Sequence, residues 1–131
     1  MPRHYIPRDE DQYLEGKIIA IDFDGVIHRA KRGYCSGKIY DKPNKRARRS
    51  MAYLVARGAR VIIFTCRLSV RSPHYEYQRR EIIGWLRKNH FYWLHHYHEI
   101  TALKPRADIF IENKAIQFYN WGDTMNVLRE L

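Results

Sequence analysis

The feature that most constrains this fold is a series of three short apolar runs, at residues 17–23, 61–64 and 107–111. Each run is nearly continuous rather than alternating, which is typical of strands buried on both faces of a parallel sheet. Segments with helical spacing separate and follow the runs, and a short fourth strand is expected within residues 97–101. The alternation of strand and helix predicts an α/β sandwich built on a mainly parallel sheet.

The segments between the runs carry helix signals of their own. Pro43 suits an early helical position and Gly58 suits the position just after a helix, and the apolar residues between them recur with helical spacing. A second helix is expected after Ser72. A closing helix is expected over residues 124–131, with Asp123 as its cap.

Chain length and composition limit the number of domains and the surroundings of the protein. The 131 residues suffice for about one domain, which we place at residues 17–131 behind a polar N-terminal arm at residues 1–16. No apolar run approaches the ~18 residues of a membrane span, and the first residues lack the apolar stretch of a secretory signal. The two cysteines, Cys35 and Cys66, do not form a disulfide framework. We therefore expect a cytoplasmic protein without a membrane partner.

Net charge is the strongest compositional signal about partners. The chain has 24 Lys and Arg against 14 Asp and Glu, a formal net charge of +10. Such a charge favours anionic partners, among them phosphorylated substrates, nucleotides and nucleic acid. A generally basic surface with no such partner accounts for the same charge equally well.

Two carboxylates, Asp22 and Asp24, end the first apolar run directly before Gly25. Alternate residues of a strand share a face, so both carboxylates can point into one pocket, and Gly25 lets the chain turn sharply beside a bound substrate. Two adjacent acids repel each other unless a cation or a shared proton offsets the repulsion. An Asp-rich turn whose side chains only cap backbone groups is the alternative interpretation.

Polar residues also follow the other two runs, and ligands gather at the carboxyl ends of parallel strands. Thr65 ends the second run, and its hydroxyl and backbone N–H can hold a phosphate oxygen. Glu112 ends the third run, followed by Asn113, and their oxygens suit a hard cation such as Mg²⁺. Lys104 precedes this run and can neutralise charge on a transferring phosphoryl group. Each residue alone has an ordinary structural explanation, but three strand ends and one lysine in this order indicate a phosphate site.

In this order, the four segments resemble the motifs of the haloacid dehalogenase-like (HAD) superfamily. Residues 19–26, with the Asp-Phe-Asp-Gly sequence, resemble its first motif, and residues 61–65 resemble its second. Lys104-Pro105 matches the third motif, and residues 107–116 are similar to the fourth. The resemblance covers nearly the whole chain and points to the small, capless members found in bacteria and phages. It implies a three-layer Rossmann-like sandwich with only a short flap in place of a cap domain.

The resemblance also implies a Mg²⁺-dependent phosphomonoesterase that works through an aspartyl-phosphate intermediate. Asp22 would attack phosphorus. Asp24 would protonate the leaving oxygen and then activate the hydrolytic water. Thr65 and Lys104 would bind the phosphoryl oxygens. The substrate implied by the open site is a nucleotide, a nucleic-acid phosphate or another large phosphate ester.

The fourth motif departs from the family pattern at the expected metal site. The ligands implied for Mg²⁺ are the Asp22 carboxylate, the backbone carbonyl of Asp24 and Glu112, with Asn113 just behind them. Glu112-Asn113 replaces the usual pair of aspartates, so one ligand is longer and one charge is missing. Mg²⁺ tolerates altered geometry badly. The alternative is therefore a catalytically impaired relative that binds nucleic acid or another polyanion through its basic surface.

The flap, residues 27–42, mixes basic and aromatic side chains that can hold phosphates and stack a base. We place Arg29 and Arg32 of the flap at the substrate, although a solvated basic hairpin explains the same pattern. Arg67 follows Thr65 closely and can clamp a phosphate with both arms of its guanidinium, or else pair with an acid.

One further cluster, His90, His95, His96 and His98, lacks a usual zinc spacing, so we do not expect a metal there.

Overall fold

The computed structural model describes residues 13–33, 37–112 and 120–129, and these form an α/β fold with four strands and three helices. In chain order the elements are β1 (Ile18–Asp22), α1 (Ala47–Ala56), β2 (Arg60–Phe64), α2 (Tyr75–Lys88), β3 (Glu99–Thr101), β4 (Ile109–Ile111) and α3 (Trp121–Arg129). The predicted alternation of strands and helices is confirmed, and so is the short fourth strand.

All four strands pair in parallel, in the spatial order β3-β2-β1-β4. One row of isoleucines crosses the entire sheet: Ile21, Ile63, Ile100 and Ile111. All four are buried, and a buried isoleucine typically stabilises a fold by roughly 1.5–3 kcal/mol. The row fixes the register, because a slip by one residue would turn its members to the opposite face. The sheet therefore holds the four carboxyl ends at one edge in a defined order.

One face of the sheet carries the main core. Its cluster of buried residues combines Ile19 and Ile21 of β1 and Val61 and Ile63 of β2 with apolar residues of all three helices. Ala20 and Ile62 point to the other face and are also buried, but they lie outside this cluster. The connection from β3 to β4, residues 102–108, contains no helix. Among the described residues, helices thus form a layer on the first face only.

Helix boundaries differ from the sequence expectation at the N-terminal ends. α3 begins at Trp121 and not at residue 124, because Asn120 caps it: the Asn120 Oδ1 accepts the N–H of Asp123 at 2.8 Å. The expected cap Asp123 lies inside the first turn instead. α1 begins at Ala47, because Arg46 adopts a left-handed backbone conformation with φ 69° that cannot continue the helix. Just before it, Asn44 donates through Nδ2 to the carbonyls of Gly25 and Val26 at 3.0 and 2.9 Å. This contact ties the start of α1 to the turn after β1.

None of the helices in the described part of the chain has the length and apolar character needed to cross a bilayer.

Two glycines offer opposite outcomes for the same substitution. Gly84 lies inside α2, where an added Cβ would meet nothing within 4 Å, so Gly84→Ala should stabilise the protein by about 1 kcal/mol through helix propensity. Gly58 follows α1 at φ +89°, with Glu15 Cγ 3.1 Å from the added Cβ, so Gly58→Ala should destabilise it by at least about 1 kcal/mol. Urea unfolding of both variants measures the two changes. A loss of stability in Gly84→Ala would contradict the packing described for α2.

Candidate active site

The carboxyl edge of the sheet brings three of the predicted site residues together. Asp22 ends β1, Thr65 follows β2, and Glu112 follows β4. Ile21 pairs with Ile111, so Asp22 and Glu112 stand one step further along neighbouring strands. The prediction that polar residues after the apolar runs share one edge is thereby confirmed at the level of the backbone.

Lys104 joins this edge from the connection between β3 and β4. Its Nζ donates to Glu112 Oε1 at 2.8 Å and lies 4.6 Å from the centroid of the Phe110 ring. The Lys104 side chain remains 54% exposed, whereas that of Glu112 is 15% exposed. A half-exposed ammonium beside a carboxylate can exchange that partner for a phosphate oxygen.

Asp22 is unusually basic for a carboxylate in this setting. Burial raises its pKa to about 6, and the charges of Asp24 and Glu112 act in the same direction. The backbone N–H of Phe23, which donates to Asp22 Oδ1 at 2.8 Å, and the charge of Lys104 oppose the rise. A carboxylate with a perturbed pKa at a sheet edge is typical of a functional group that binds a cation or reacts.

Asp24 lies two residues away in a very different environment. Arg67 grips it with both arms of its guanidinium, Nε to Oδ2 at 2.6 Å and Nη2 to Oδ1 at 2.9 Å. His28 Nδ1 contacts Oδ1 at 2.9 Å. Burial disfavours the ionised form, but the hydrogen bonds from His28 and Arg67 outweigh it and hold the pKa of Asp24 below its ordinary value. Asp24 is thus ionised and held by two donors.

His28 is the site residue whose role sequence reasoning missed. It is fully buried, and its Nε2 accepts the backbone N–H of Asp41 at 3.0 Å. Nδ1 must therefore carry the proton that is donated to Asp24. The only sequence signal for this role is that His28 follows Asp24 by four residues. This signal is weak, because the flap contains several other polar residues that could reach the same carboxylate.

The arginines expected at the substrate already contact other groups of the protein, and only Arg67 among them is buried. The guanidinium of Arg67, expected to clamp a phosphate, binds Asp24 and also donates to the carbonyl of Gly37 at 2.5 Å. Arg29 binds both carboxylate oxygens of Asp41 at 2.9 and 3.0 Å. Arg32 lies over the ring of Tyr40, 4.5 Å from its centroid. In this structure the three guanidinium groups thus contact groups of the protein itself, and for Arg67 this is the pairing with an acid that the sequence left open.

Thr65 also differs in part from its expected role. Its backbone N–H, expected to hold phosphate, donates to the carbonyl of Thr101 at 3.1 Å. Its Oγ1 accepts the N–H of Arg67 at 3.2 Å. The hydroxyl O–H, and not the backbone, is therefore the group of Thr65 that suits a phosphoryl oxygen.

The donor set for a cation consists of few groups. Within the described residues, no cluster of three or more His, Cys, Asp or Glu side chains is placed to hold a metal ion. Two carboxylates, Asp22 and Glu112, and the backbone carbonyl of Asp24 are what this edge provides. Mg²⁺ commonly binds one or two carboxylates and completes its shell with water and phosphate, so such a set is compatible with it. Asn113 lies outside the described residues.

The turn after Asp24 explains why a glycine follows. Gly25 adopts φ +83°, which L side chains rarely adopt, and its N–H donates to the carbonyl of His28 at 2.8 Å. This turn folds residues 25–28 back towards Asp24 and so allows His28 to reach the carboxylate.

Two histidines of the 90–98 cluster accept hydrogen bonds from the backbone. His98 Nδ1 accepts the N–H of Val61 at 3.0 Å, and His96 Nδ1 accepts the N–H of Tyr92 at 2.9 Å. A ring nitrogen occupied in this way is not a metal ligand.

A cavity of about 790 Å³ adjoins the Asp24–Arg67 pair. It lies between the end of the flap, at Gly37–Ile39, and the face of α2 that carries Tyr77, Gly84 and Lys88. This volume falls within the range of small-molecule sites.

Comparison with known proteins gives no relationship for this chain: no family model, no curated protein and no solved structure matches it. The fold and the geometry of the site are therefore the basis for the function proposed below.

The raised pKa of Asp22 predicts a pH-dependent difference between the parent and Asp22→Asn. The folded parent keeps a proton on Asp22 up to about pH 6, whereas the ordinary value is 3.8. Its unfolding free energy therefore loses a contribution as pH rises from about 4 to 6, and the neutral amide does not lose it. We expect Asp22→Asn to gain stability relative to the parent across this window, measured by urea unfolding in EDTA. A difference that stays constant with pH would contradict the assignment.

Proposed function

We propose that the protein is a HAD-like phosphohydrolase of the capless type, with a Rossmann-like sheet and Asp22 as its nucleophile. The observation that carries the proposal is the arrangement at the sheet edge, where Asp22 stands beside the Glu112–Lys104 pair. An acid whose pKa is raised to about 6, next to a second carboxylate and a lysine, suits a site that receives a cation and a phosphate together.

In the first step, a carboxylate oxygen of Asp22 attacks phosphorus and forms an acyl-phosphate, while the bond from phosphorus to the leaving oxygen breaks. Lys104 Nζ and the Thr65 O–H donate to the phosphoryl oxygens and stabilise the charge that develops on them. The leaving oxygen must take a proton, which in this proposal comes from Asp24.

Asp24 can act as an acid only after a change in its contacts. In the described structure it is ionised and held by Arg67 and His28. Release of Asp24 by Arg67 when substrate enters would remove both of the arginine's N–H contacts and raise the pKa of Asp24. The carboxylate would then take up a proton from solvent, and this is the proton that it gives to the leaving oxygen. In the second step, the ionised form of Asp24 suits the role of base, taking a proton from the water that hydrolyses the acyl-phosphate.

A bound Mg²⁺ would polarise the phosphate and offset the repulsion among the carboxylates. Asp22, Glu112 and the carbonyl of Asp24 are the groups that would hold it.

The substrate proposed is a phosphate ester that extends beyond the site, such as a nucleotide or the phosphorylated end of a nucleic acid. The cavity beside Arg67 can take the group attached to the phosphate. Its wall combines the aromatic Tyr77 with the cationic Lys38 and Lys88.

The direct test is turnover of a chromogenic phosphate ester with Mg²⁺. Asp22→Asn should fold and lose essentially all turnover, because an amide cannot form the acyl-phosphate. The matched control is Glu76→Gln, which removes an exposed carboxylate from α2 and should keep parental turnover. Parental rates in Asp22→Asn would exclude this mechanism.

The metal assignment has a separate test. Glu112→Ala should weaken Mg²⁺ binding by at least ~10-fold, about 1.4 kcal/mol, since it removes one of two carboxylates. Asn113→Asp adds the charge present in the family pattern and should tighten binding. Calorimetric titration with Mg²⁺ measures both changes. Unchanged binding by Glu112→Ala would show that this residue only pairs with Lys104.

A second candidate function is that of a HAD-like protein without turnover that binds a polyanion. The observation that favours it is the engagement of Asp24 by Arg67 and His28, which leaves no protonated acid at the position of Asp24. No turnover by the parent, together with salt-sensitive binding of nucleic acid, would select this candidate over the phosphohydrolase.

A further inference from the structure

Five exposed cations surround the start of α1, and we call them the basic ridge. They are Lys42, Lys45, Arg46, Arg48 and Arg49. In contrast to Arg29 and Arg67, none of the five forms an ion pair with any described acid, and the first turn of α1 has no acidic residue. Together with Asn44 and Asn89 they line a shallow depression of about 510 Å³. Such a concentration of cations that form no ion pair with the described acids attracts a polyanion.

A second feature lies at residues 92–94, which we call the aromatic loop. Tyr92, Trp93 and Leu94 are 44%, 62% and 51% exposed. Consecutive large apolar side chains at the surface are unusual unless they bind a partner. Polar side chains such as Asp or Lys would suit these exposed positions at least as well. The exposed rings therefore call for a functional explanation.

Two hydrogen bonds, one from the backbone and one from the Trp93 side chain, hold the aromatic loop in place. Leu94 N–H donates to the carbonyl of Tyr97 at 2.7 Å, and Trp93 Nε1 donates to the carbonyl of His98 at 3.0 Å. Leu94 adopts φ of 72°, a conformation that costs a non-glycine residue stability and persists where surrounding contacts fix it. The rings are thus presented to solvent by a defined turn.

The basic ridge and the aromatic loop adjoin each other. Asn89 lines the depression of the ridge and directly follows α2, three residues before Tyr92. Burial lowers the pKa of His96, and the charge of Arg48 contributes to this shift, so Arg48 lies close to the base of the loop. The ring of Tyr92 is 6.1 Å from that of His96. The base of the aromatic loop therefore lies next to the basic ridge, and we treat the two as one surface.

We propose that this surface binds single-stranded nucleic acid, with phosphates on the basic ridge and bases stacked on Trp93 and Tyr92. Cations that follow the backbone and aromatic rings that receive base faces are the two elements that single-strand binding requires. In a duplex the base faces are covered by stacking, so the rings favour a single strand. The surface is separate from the Asp22–Glu112–Lys104 edge, and the proposal does not depend on phosphohydrolase activity.

The test is fluorescence anisotropy with a labelled oligodeoxythymidylate of about 20 nucleotides, longer than the ~4–16 nucleotides that such a site covers. Binding is measured with the full chain, in EDTA, over a range of salt concentrations. Arg48→Ala/Arg49→Ala should reduce the slope of log K against log salt by about 1.4, at ~0.7 for each phosphate that is no longer neutralised. The control, Arg71→Ala/Arg80→Ala, removes two exposed arginines outside the depression and should leave the slope unchanged.

The aromatic loop is tested by a change that leaves charge alone. Trp93→Ala should weaken binding by about 5- to 100-fold at every salt concentration, without a change in slope, and Trp93→Phe should restore most of it. Trp93 is 62% exposed, so the fold should tolerate both changes, and because both remove its hydrogen bond to His98, the difference between them reports on the ring.

Four results would overturn the proposal. The first is absence of binding to the oligonucleotide by the parent. The second is an equal effect of the control pair and the ridge pair. The third is binding of a duplex as tightly as the single strand. The fourth is binding to phosphatidylserine-containing vesicles without binding to the oligonucleotide, which would make the surface a membrane contact.

Discussion

The ion pair between Asp24 and Arg67 is the interaction on which the arrangement of the site depends. It joins the turn after β1 to the loop after β2, and the same guanidinium holds the flap through the carbonyls of Gly37 and Lys38. Arg67 is only 6% exposed. A buried cation of this kind is stable only when its donors are satisfied, so the three segments must assemble together. His28, from the flap, completes the same network.

Because this network reaches only Asp24, the two carboxylates of the Asp-Phe-Asp-Gly turn have different pKa values. Asp22 lacks a cationic partner within hydrogen-bond reach among the described residues, and burial raises its pKa to about 6. Asp24 has two donors, and its pKa falls. Pairs of acids whose pKa values are driven apart mark distinct roles in catalysis. For a nucleophile at Asp22, a nearby cation would restore the ionised form, which is why the metal and the nucleophile are coupled in the proposed mechanism.

Local patterns in the sequence predict the elements, the parallel sheet and the edge at which Asp22, Thr65 and Glu112 gather, because burial on both faces of a strand leaves a continuous apolar run. Contacts between distant segments are not predictable in this way. Arg67 and Asp24 are 43 residues apart, and nothing local selects this acid for this arginine. The start of α3 shows a related limit, because Asn120 and Asp123 are both residue types that cap helices well. Trp121 is buried, and its Nε1 donates to the carbonyl of Val26. This distant contact places Trp121 inside the helix and so selects Asn120 as the cap.

The same limit governs the meaning of the net charge of +10. The sequence places basic residues densely in both the flap and the start of α1, and it predicts the flap as the anion-binding segment. In the structure Arg29 is neutralised by Asp41, and Arg32 covers Tyr40. The cations of the basic ridge have no such partners among the described residues. In an ion pair, the opposite charges largely cancel each other's electrostatic potential at a distance. The positive potential of the surface is therefore strongest where arginines form no ion pair. Pairing, more than composition, therefore decides which surface of this basic protein a polyanion would meet first.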